Sequence, residues 1–464
     1  MTLDWADWVS WTIAAGVLVV AAVLLIVLRP RAERDLAVSA ESVADTGSVA
    51  VSAGAAPDSV ATLAAAETVG DAMIQAGYSV TTVRDALEDI ARVNHLPASQ
   101  VVVFPTALLV SARGEGEHRG EHRTGAISSG EGRLLLDQVD ELQRTVDAAR
   151  LGVLDPASTI ERIRRVREMP PTYGRVLRVA GYALLSGALA VMLGTTWTGV
   201  AVAVVLGALV GAALLVSERV PRRYGALITV GVALVVALVV FLLLDAGFGP
   251  RILAALIAPL VVLLPGTLLT TAVIELSTGQ MISGAGRLAA GGMQLVLLAA
   301  GIVTAGALVG VPDVDFTEQP EALGPIAPWV AVAVFGVGIA VHQCAPRRSL
   351  PWILLVLYVA YGAQVIGDVF LGGVLSAFVG ALVVTPVTAL VARQPSGPAA
   401  LVSFIPAFWL LVPGALGLVG VADVLGGDAG GTNSLVATIA TMVAIALGVL
   451  AGSVVSNRMQ RPPL

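Results

Sequence analysis

Residues 251–287 read RILAALIAPLVVLLPGTLLTTAVIELSTGQMISGAGR. The stretch 251–269 is apolar over nearly the whole length that a bilayer-spanning helix needs, about 20 residues. Pro265 removes one helical hydrogen bond and Gly266 loosens the backbone, so the pair predicts a break inside the span. Backbone groups freed by such a break can hold an ion or a zwitterionic solute. Thr267, Thr270 and Thr271 add hydroxyls beside it, and Glu275 lies two turns past Thr267 on a nearby face. A carboxyl near the bilayer edge is a candidate proton carrier. The plainer reading, Glu275 and Arg287 as interfacial charges facing the cytoplasm, is equally open.

Working outward, the motif has an echo. Leu263-Leu264-Pro265-Gly266-Thr267-Leu268 returns 148 residues later as Leu411-Val412-Pro413-Gly414-Ala415-Leu416. Apolar runs of membrane-spanning length also occur at 176–194, 197–216, 225–244 and 288–311, and again at 328–344, 352–369, 371–391, 399–421 and 434–456. With 251–269 these form ten expected helices, because lipid offers the backbone no hydrogen-bonding partner. The loop 312–327, rich in proline and acid, divides them five and five. An odd number per half means that the second half enters the membrane upside down, a recurring transporter plan.

Val9–Leu28 is a further apolar run. It is preceded by Asp4 and Asp7 and followed by Arg29, Arg31 and Arg34, which reads as an uncleaved anchor with its N-terminus outside. The loops expected inside hold Arg219, Arg222, Arg223, Arg287, Arg347, Arg348, Arg393, Arg458 and Arg461, against Arg251 alone outside. That asymmetry supports the count and puts 31–175 and the C-terminus in the cytoplasm. Charged residues are only 13% of the chain, too few to cover a soluble surface, and mean hydropathy is +0.87.

The organisation expected is therefore an all-α polytopic membrane protein of two inverted five-helix repeats, with a small cytoplasmic α+β domain and an N-terminal anchor. Its segments are an anchor at 1–30, a linker at 31–59 and the α+β domain at 60–175. The first repeat follows at 176–311, an extracytoplasmic loop at 312–327, the second repeat at 328–456 and a tail at 457–464. Within the α+β domain, helices are expected from Val60 to Gln75, at Thr81–Val93, Leu134–Ala149 and Ala157–Arg167. Strands are expected at Val101–Phe104, Ala107–Ser111 and Gly125–Ser129.

All 27 basic residues are arginine, so lysine Schiff-base chemistry is excluded. The single cysteine, Cys344, excludes an intrachain disulfide. His118 and His122 have i, i+4 spacing, but they sit between glycines and beside arginines, where a solvated hairpin tip is the better reading than a metal site. His342 is expected to snorkel to the interface and Asp368 to be a loop residue. Gln294 and Gln364 are expected to bond across helices or to a solute. Gly207, Gly211, Gly292 and Gly380 read as close helix packing. A net charge of −6 does not suggest a nucleic-acid partner. No ATP-binding signature is present, so the energy source is expected to be an ion gradient, with no metal and no cofactor. Self-association into a homo-oligomer is compatible with the sequence.

From Thr68 onward the chain resembles the threonine/serine exporters. The resemblance rests on Ala76-Gly77-Tyr78-Ser79, Val83 and Asp85–Ala91, then VVVFPTALLVS at Val101–Ser111. In the membrane part it rests on Leu264-Pro265-Gly266, the acid at Glu275, and Ser283-Gly284-Ala285-Gly286-Arg287-Leu288. It implies a secondary transporter in the bacterial plasma membrane that exports L-threonine and L-serine, driven by the proton motive force. It also implies ten membrane helices and a cytoplasmic N-terminal domain sometimes likened to hydrolases. Family members often carry Asp at the position of Glu275, and the anchor at 9–28 is less typical. The expected transport site is Pro265, Gly266, Thr267, Thr270 and Thr271 with Pro413 and Gly414, and Glu275 is the expected proton-coupling acid. The alternative is a membrane-anchored hydrolase acting through its cytoplasmic domain, but the sequence shows no nucleophile and base in reach of each other. A sensor that moves nothing fits poorly with helix breaks in a five-plus-five plan.

Overall fold

A computed structural model of the chain describes residues 8–24, 59–96, 99–113, 122–128, 134–309, 323–411 and 431–460. The expected linker, His118, most of the loop at 312–327, Pro413 and Gly414 lie outside the described residues. The chain forms two compact units. One comprises Met1–Leu28, Tyr173–Ile274 and Arg287–Leu464; the other comprises Arg29–Thr172 with Glu275–Gly286.

The first unit is helical. It contains α1 (Trp8–Leu24), α6 (Arg175–Met192), α7 (Trp197–Ser217) and α8 (Gly225–Asp245). A broken span follows, whose first leg passes through 3-10 turns and the short α9 (Ala254–Ile257) to Leu263 and whose second leg is α10 (Gly266–Ser277). Next come α11 (Met281–Val309), α12 (Ala327–His342), α13 (Leu350–Leu371), α14 (Gly373–Ala392), α15 (Ala400–Leu411) and α16 (Gly431–Gln460). Seven of these helices are long and apolar enough to cross a membrane, and the two legs of the broken span pass the same test together. The chain is thus a multi-pass membrane protein. Helices α1, α12 and α15 are apolar but shorter.

Small residues set the helix crossings, since without a hydrophobic drive between helices, association in lipid depends on close packing. A Cβ on Gly207 would meet the Ser186 side chain at 2.5 Å, and one on Gly211 would meet Tyr182 at 2.8 Å. Gly380 is similarly closed by Leu411, but Gly292 faces open space, contrary to the expectation of packing there. Two crossings match in detail. Gly301 of α11 lies against Val230, Ala233 and Leu234 of α8; Gly448 of α16 lies against Phe378, Ala381 and Leu382 of α14. Each member of the second trio follows its counterpart by 148 positions, the spacing that also separates the two proline–glycine steps and the starts of α8 and α14. The helices α6 and α12 end alike, on Gly194 (φ 80°) and Cys344 (φ 56°).

The break expected inside the span at 251–269 falls at Pro265-Gly266. Two membrane-region expectations are corrected. The segment 270–287, expected to be a loop, is largely helical, because α10 runs on to Ser277 and α11 already begins at Met281. Asp368 is inside α13 rather than in a loop, though it is exposed.

The second unit packs α2 (Ser59–Ala76), α3 (Val80–Val93), α4 (Leu136–Arg150) and α5 (Pro156–Glu168) with a three-stranded antiparallel sheet in the order β1 (Gln100–Phe104), β2 (Ala107–Arg113), β3 (His122–Ser128). In β2 the residues alternate, Leu108 and Val110 buried and Leu109 exposed, as expected of a sheet with one covered face. A Cβ on Gly70 would meet the Leu108 Cδ2 methyl at 2.4 Å, so a larger residue there would make that side chain shift. Asp155 caps α5 by accepting the Ala157 and Ser158 amides at 3.2 and 3.3 Å. Arg150 Nη2 reaches Asp89 at 2.6 Å, tying α4 to α3. His122 opens β3, paired with Arg113, rather than forming the hairpin tip.

A broken membrane span as the candidate functional site

Why the span breaks can be followed atom by atom. Leu264 precedes a proline, whose Cδ disfavours helical backbone at that position, and it adopts φ −68°, ψ 131°. The 3-10 turn closes just before it, Leu264 N–H donating to Val261 O at 3.1 Å. Helix α10 restarts at once, with Leu269 N–H donating to Pro265 O at 2.9 Å. The legs are bent by 57°.

The carbonyls near the break have side-chain partners from other helices. Gln294 Nε2 of α11 donates to Leu263 O at 2.5 Å, as expected of a polar side chain bonding across helices. The Tyr182 hydroxyl of α6 donates to Pro259 O at 2.7 Å. The first leg is enclosed by protein: Ile252, Leu253, Ala255, Leu256, Ile257, Ala258, Leu260, Val261 and Leu263 are all buried. Irregular backbone at membrane depth is tolerated in such surroundings. On the second leg, Leu269 packs with Leu295 of α11 and Met442 of α16, with Leu264 against them. Residues from both halves of the chain therefore meet at the break.

Thr267, Thr270 and Thr271 share one face of α10, at i, i+3 and i+4. Thr267 and Thr271 are half-buried. Thr270 is 1% exposed, and its hydroxyl is one of four buried polar side-chain groups among the described residues without a hydrogen-bond partner; the others belong to Ser186, Trp329 and Ser349. Thr68, Thr145 and Thr304, by contrast, return their hydroxyls to the carbonyl four residues back. A buried hydroxyl left unpaired costs about 1–3 kcal/mol, so its retention asks for a reason.

Glu275 is on the same helix but belongs to the second unit. It is 1% exposed, and its Oε1 accepts the Val80 amide at 3.2 Å. Val80 is the first residue of α3, so the carboxylate occupies one of the amides a helix start leaves unpaired, while Ser79 Oγ accepts that of Thr82 at 3.2 Å. Of the residues expected on α10, the three threonines thus belong to the first unit and the acid to the second. Elsewhere in the second unit, burial raises the titration of Glu67, of Asp147 and of Tyr78, the last helped by Asp147 and Asp140.

Sequence reasoning passed over Tyr182 and Arg178 and misplaced His342, which is 5% exposed rather than snorkelling. Its Nδ1 lies 3.1 Å from the Arg178 carbonyl and its ring is edge-on to Tyr182. The available signal was Arg178, an ionisable residue inside the expected span 176–194.

No solved structure matches the chain. A threonine/serine exporter of Corynebacterium glutamicum is 25% identical over 343 residues, covering 71% of this chain and 68% of that protein. A protein of Mycobacterium tuberculosis named "Probable threonine/serine exporter" is 25% identical over 412 residues, covering 84% of this chain and 76% of that one. The family model ThrE, described as "Putative threonine/serine exporter", matches residues 64–309, which takes in α3, the sheet, the broken span and Glu275. The chain belongs to the threonine/serine exporter family.

Proposed function

We propose that this protein exports L-threonine and L-serine across the bacterial plasma membrane, driven by the proton motive force, and that the broken span is its transport site. The observation that carries the reading is the buried, unpartnered Thr270 hydroxyl on the helix that restarts at Gly266. A zwitterionic hydroxy amino acid needs acceptors for its ammonium, donors for its carboxylate and a partner for its own hydroxyl. The hydroxyls of Thr267, Thr270 and Thr271, each both donor and acceptor, supply that mixture beside the break at Pro265 and Gly266. Pro413 and Gly414 stand as the counterpart in the second half. The 148-residue spacing of the residues that face Gly301 and Gly448, themselves 147 apart, supports an internal repeat, and the arginine asymmetry supports an inverted one with 31–175 and the C-terminus inside. Glu275 is the acid proposed to carry the proton.

The test is threonine-loaded vesicles containing the protein, with an imposed pH gradient. Threonine leaves in a gradient-dependent manner, and the dependence is lost in Glu275→Ala. Undiminished gradient-driven flux in that variant would remove Glu275 from proton coupling and leave transport standing. Absence of any threonine flux from the unaltered protein would overturn the function.

A further inference from the structure

Arg178 and His342 bind α6 to α12 twice over. Arg178 Nε donates to the His342 carbonyl at 3.1 Å, and His342 Nδ1 lies the same distance from the Arg178 carbonyl. The rest of the guanidinium forks onto Glu218 at the end of α7, Nη2 at 2.7 Å and Nη1 at 3.5 Å. The His342 carbonyl is among the last four of α12, which have no helical partner, so a cation there satisfies it and complements the negative helix end. The knot depends on a close crossing. A Cβ on Gly181 would meet Gly338 O at 2.8 Å, and a Cβ on Gly338 would meet Gly181 O at 2.7 Å.

One turn beyond Arg178 stands Tyr182, fully buried. Its ring is edge-on to His342, with centroids 4.7 Å apart, and its hydroxyl holds the Pro259 carbonyl of the broken span. A single side chain therefore touches the knot at its ring and the first leg at its tip. The knot joins α6 and α7 of the first half to α12 of the second, so the first leg is fastened to the seam where the halves cross.

We infer that Tyr182 is a positioning residue for transport: held against His342, which Arg178 fastens to α6, it makes the first leg of the broken span move with the α6–α12 seam. This rests on the reading of the broken span as the transport site. Tyr182 meets the leg at Pro259, well before Thr267 and Thr270 in the chain, so it acts on the movement of the leg rather than on the bound solute.

Tyr182→Phe removes the hydroxyl and keeps the ring against His342. In proteoliposomes its maximal threonine flux falls by about tenfold, the worth of one buried hydrogen bond, while the half-saturating threonine concentration stays within about twofold. Amide hydrogen exchange in the segment 254–263 quickens by about tenfold in the same variant. His342→Phe, which keeps a ring and loses the Nδ1 contact, shifts both readings in the same direction by about threefold. Unchanged maximal flux and exchange in Tyr182→Phe would overturn the inference. So would a raised half-saturating concentration at unchanged maximal flux, which would make Tyr182 a solute contact. The exchange measurement needs no transport. Lack of threonine flux in the unaltered protein would therefore sink the export reading alone, and unaltered exchange would sink the positioning role alone.

Discussion

Helix α8 and the broken span are both apolar, and they are built in opposite ways. α8 runs unbroken for 21 residues, and only a third of its most apolar stretch is buried within the protein. The span around Pro265 interrupts its helix, yet its first leg is covered at nearly every residue. The difference follows from the solvent. A helix that faces lipid must satisfy every backbone group internally, so it stays regular. A segment wrapped by other helices can leave backbone groups to Gln294 and Tyr182, and so can afford a bend and an unpaired hydroxyl.

The sharpest way to break this comparison is to straighten the second region. Replacing Pro265 with Leu and Gly266 with Ala removes the pair that turns Leu264 out of helical backbone and favours a straighter join between the legs. Threonine flux in vesicles is expected to fall by about a hundredfold while the protein remains folded. Gly231→Leu in α8, where a Cβ would meet nothing within 4 Å, leaves flux within about twofold. Equal losses in both would erase the distinction.

A second test concerns the seam. Gly181→Val drives a side chain into the Gly338 carbonyl and is expected to destabilise the fold by about 1–3 kcal/mol, seen as a lower melting temperature in detergent. Gly292→Ala, facing open space in α11, is neutral or raises stability by about 0.5–1 kcal/mol.

Thr270→Val separates stability from function. Removing an unpaired buried hydroxyl raises stability by about 1 kcal/mol, and the affinity for threonine falls. A smaller effect is expected outside the membrane region. Asp155→Ala loses the cap of α5 and about 1 kcal/mol. The Ser158 side chain, together with the Ser158 and Ala157 amides, holds the Asp155 carboxyl below its usual range. Its contribution is therefore present above about pH 4 and is lost as the pH falls through the depressed folded value. A pH series of melting curves for both proteins should converge at the acid end.

What the sequence disclosed divides along the same line. The regular helices, the hairpin interrupted at Pro105 and the place of the break were legible, because periodicity, turn residues and the Pro265-Gly266 pair act through local backbone chemistry. Which groups the freed carbonyls would meet was not. Tyr182 reads as an ordinary aromatic in an apolar run, and only the tertiary crossing at Gly181 and Gly338 brings His342 beneath it. Glu275 was visible as an acid near a helix end, but its position on the α3 start depends on a pairing 195 residues apart. His342 was misjudged for a similar reason. A histidine in the last turn of an apolar helix looks interfacial until a buried arginine from another helix is placed beside it.

The most direct test of the central claim asks where threonine sits. In a chain whose cysteine is replaced by Cys344→Ser, Thr267→Cys and Gly231→Cys are each labelled with a small membrane-permeant maleimide, with and without threonine. Threonine is expected to slow labelling at 267 by about tenfold and to leave 231 unchanged. No slowing at 267, or the same slowing at both positions, would contradict the assignment of the broken span as the path.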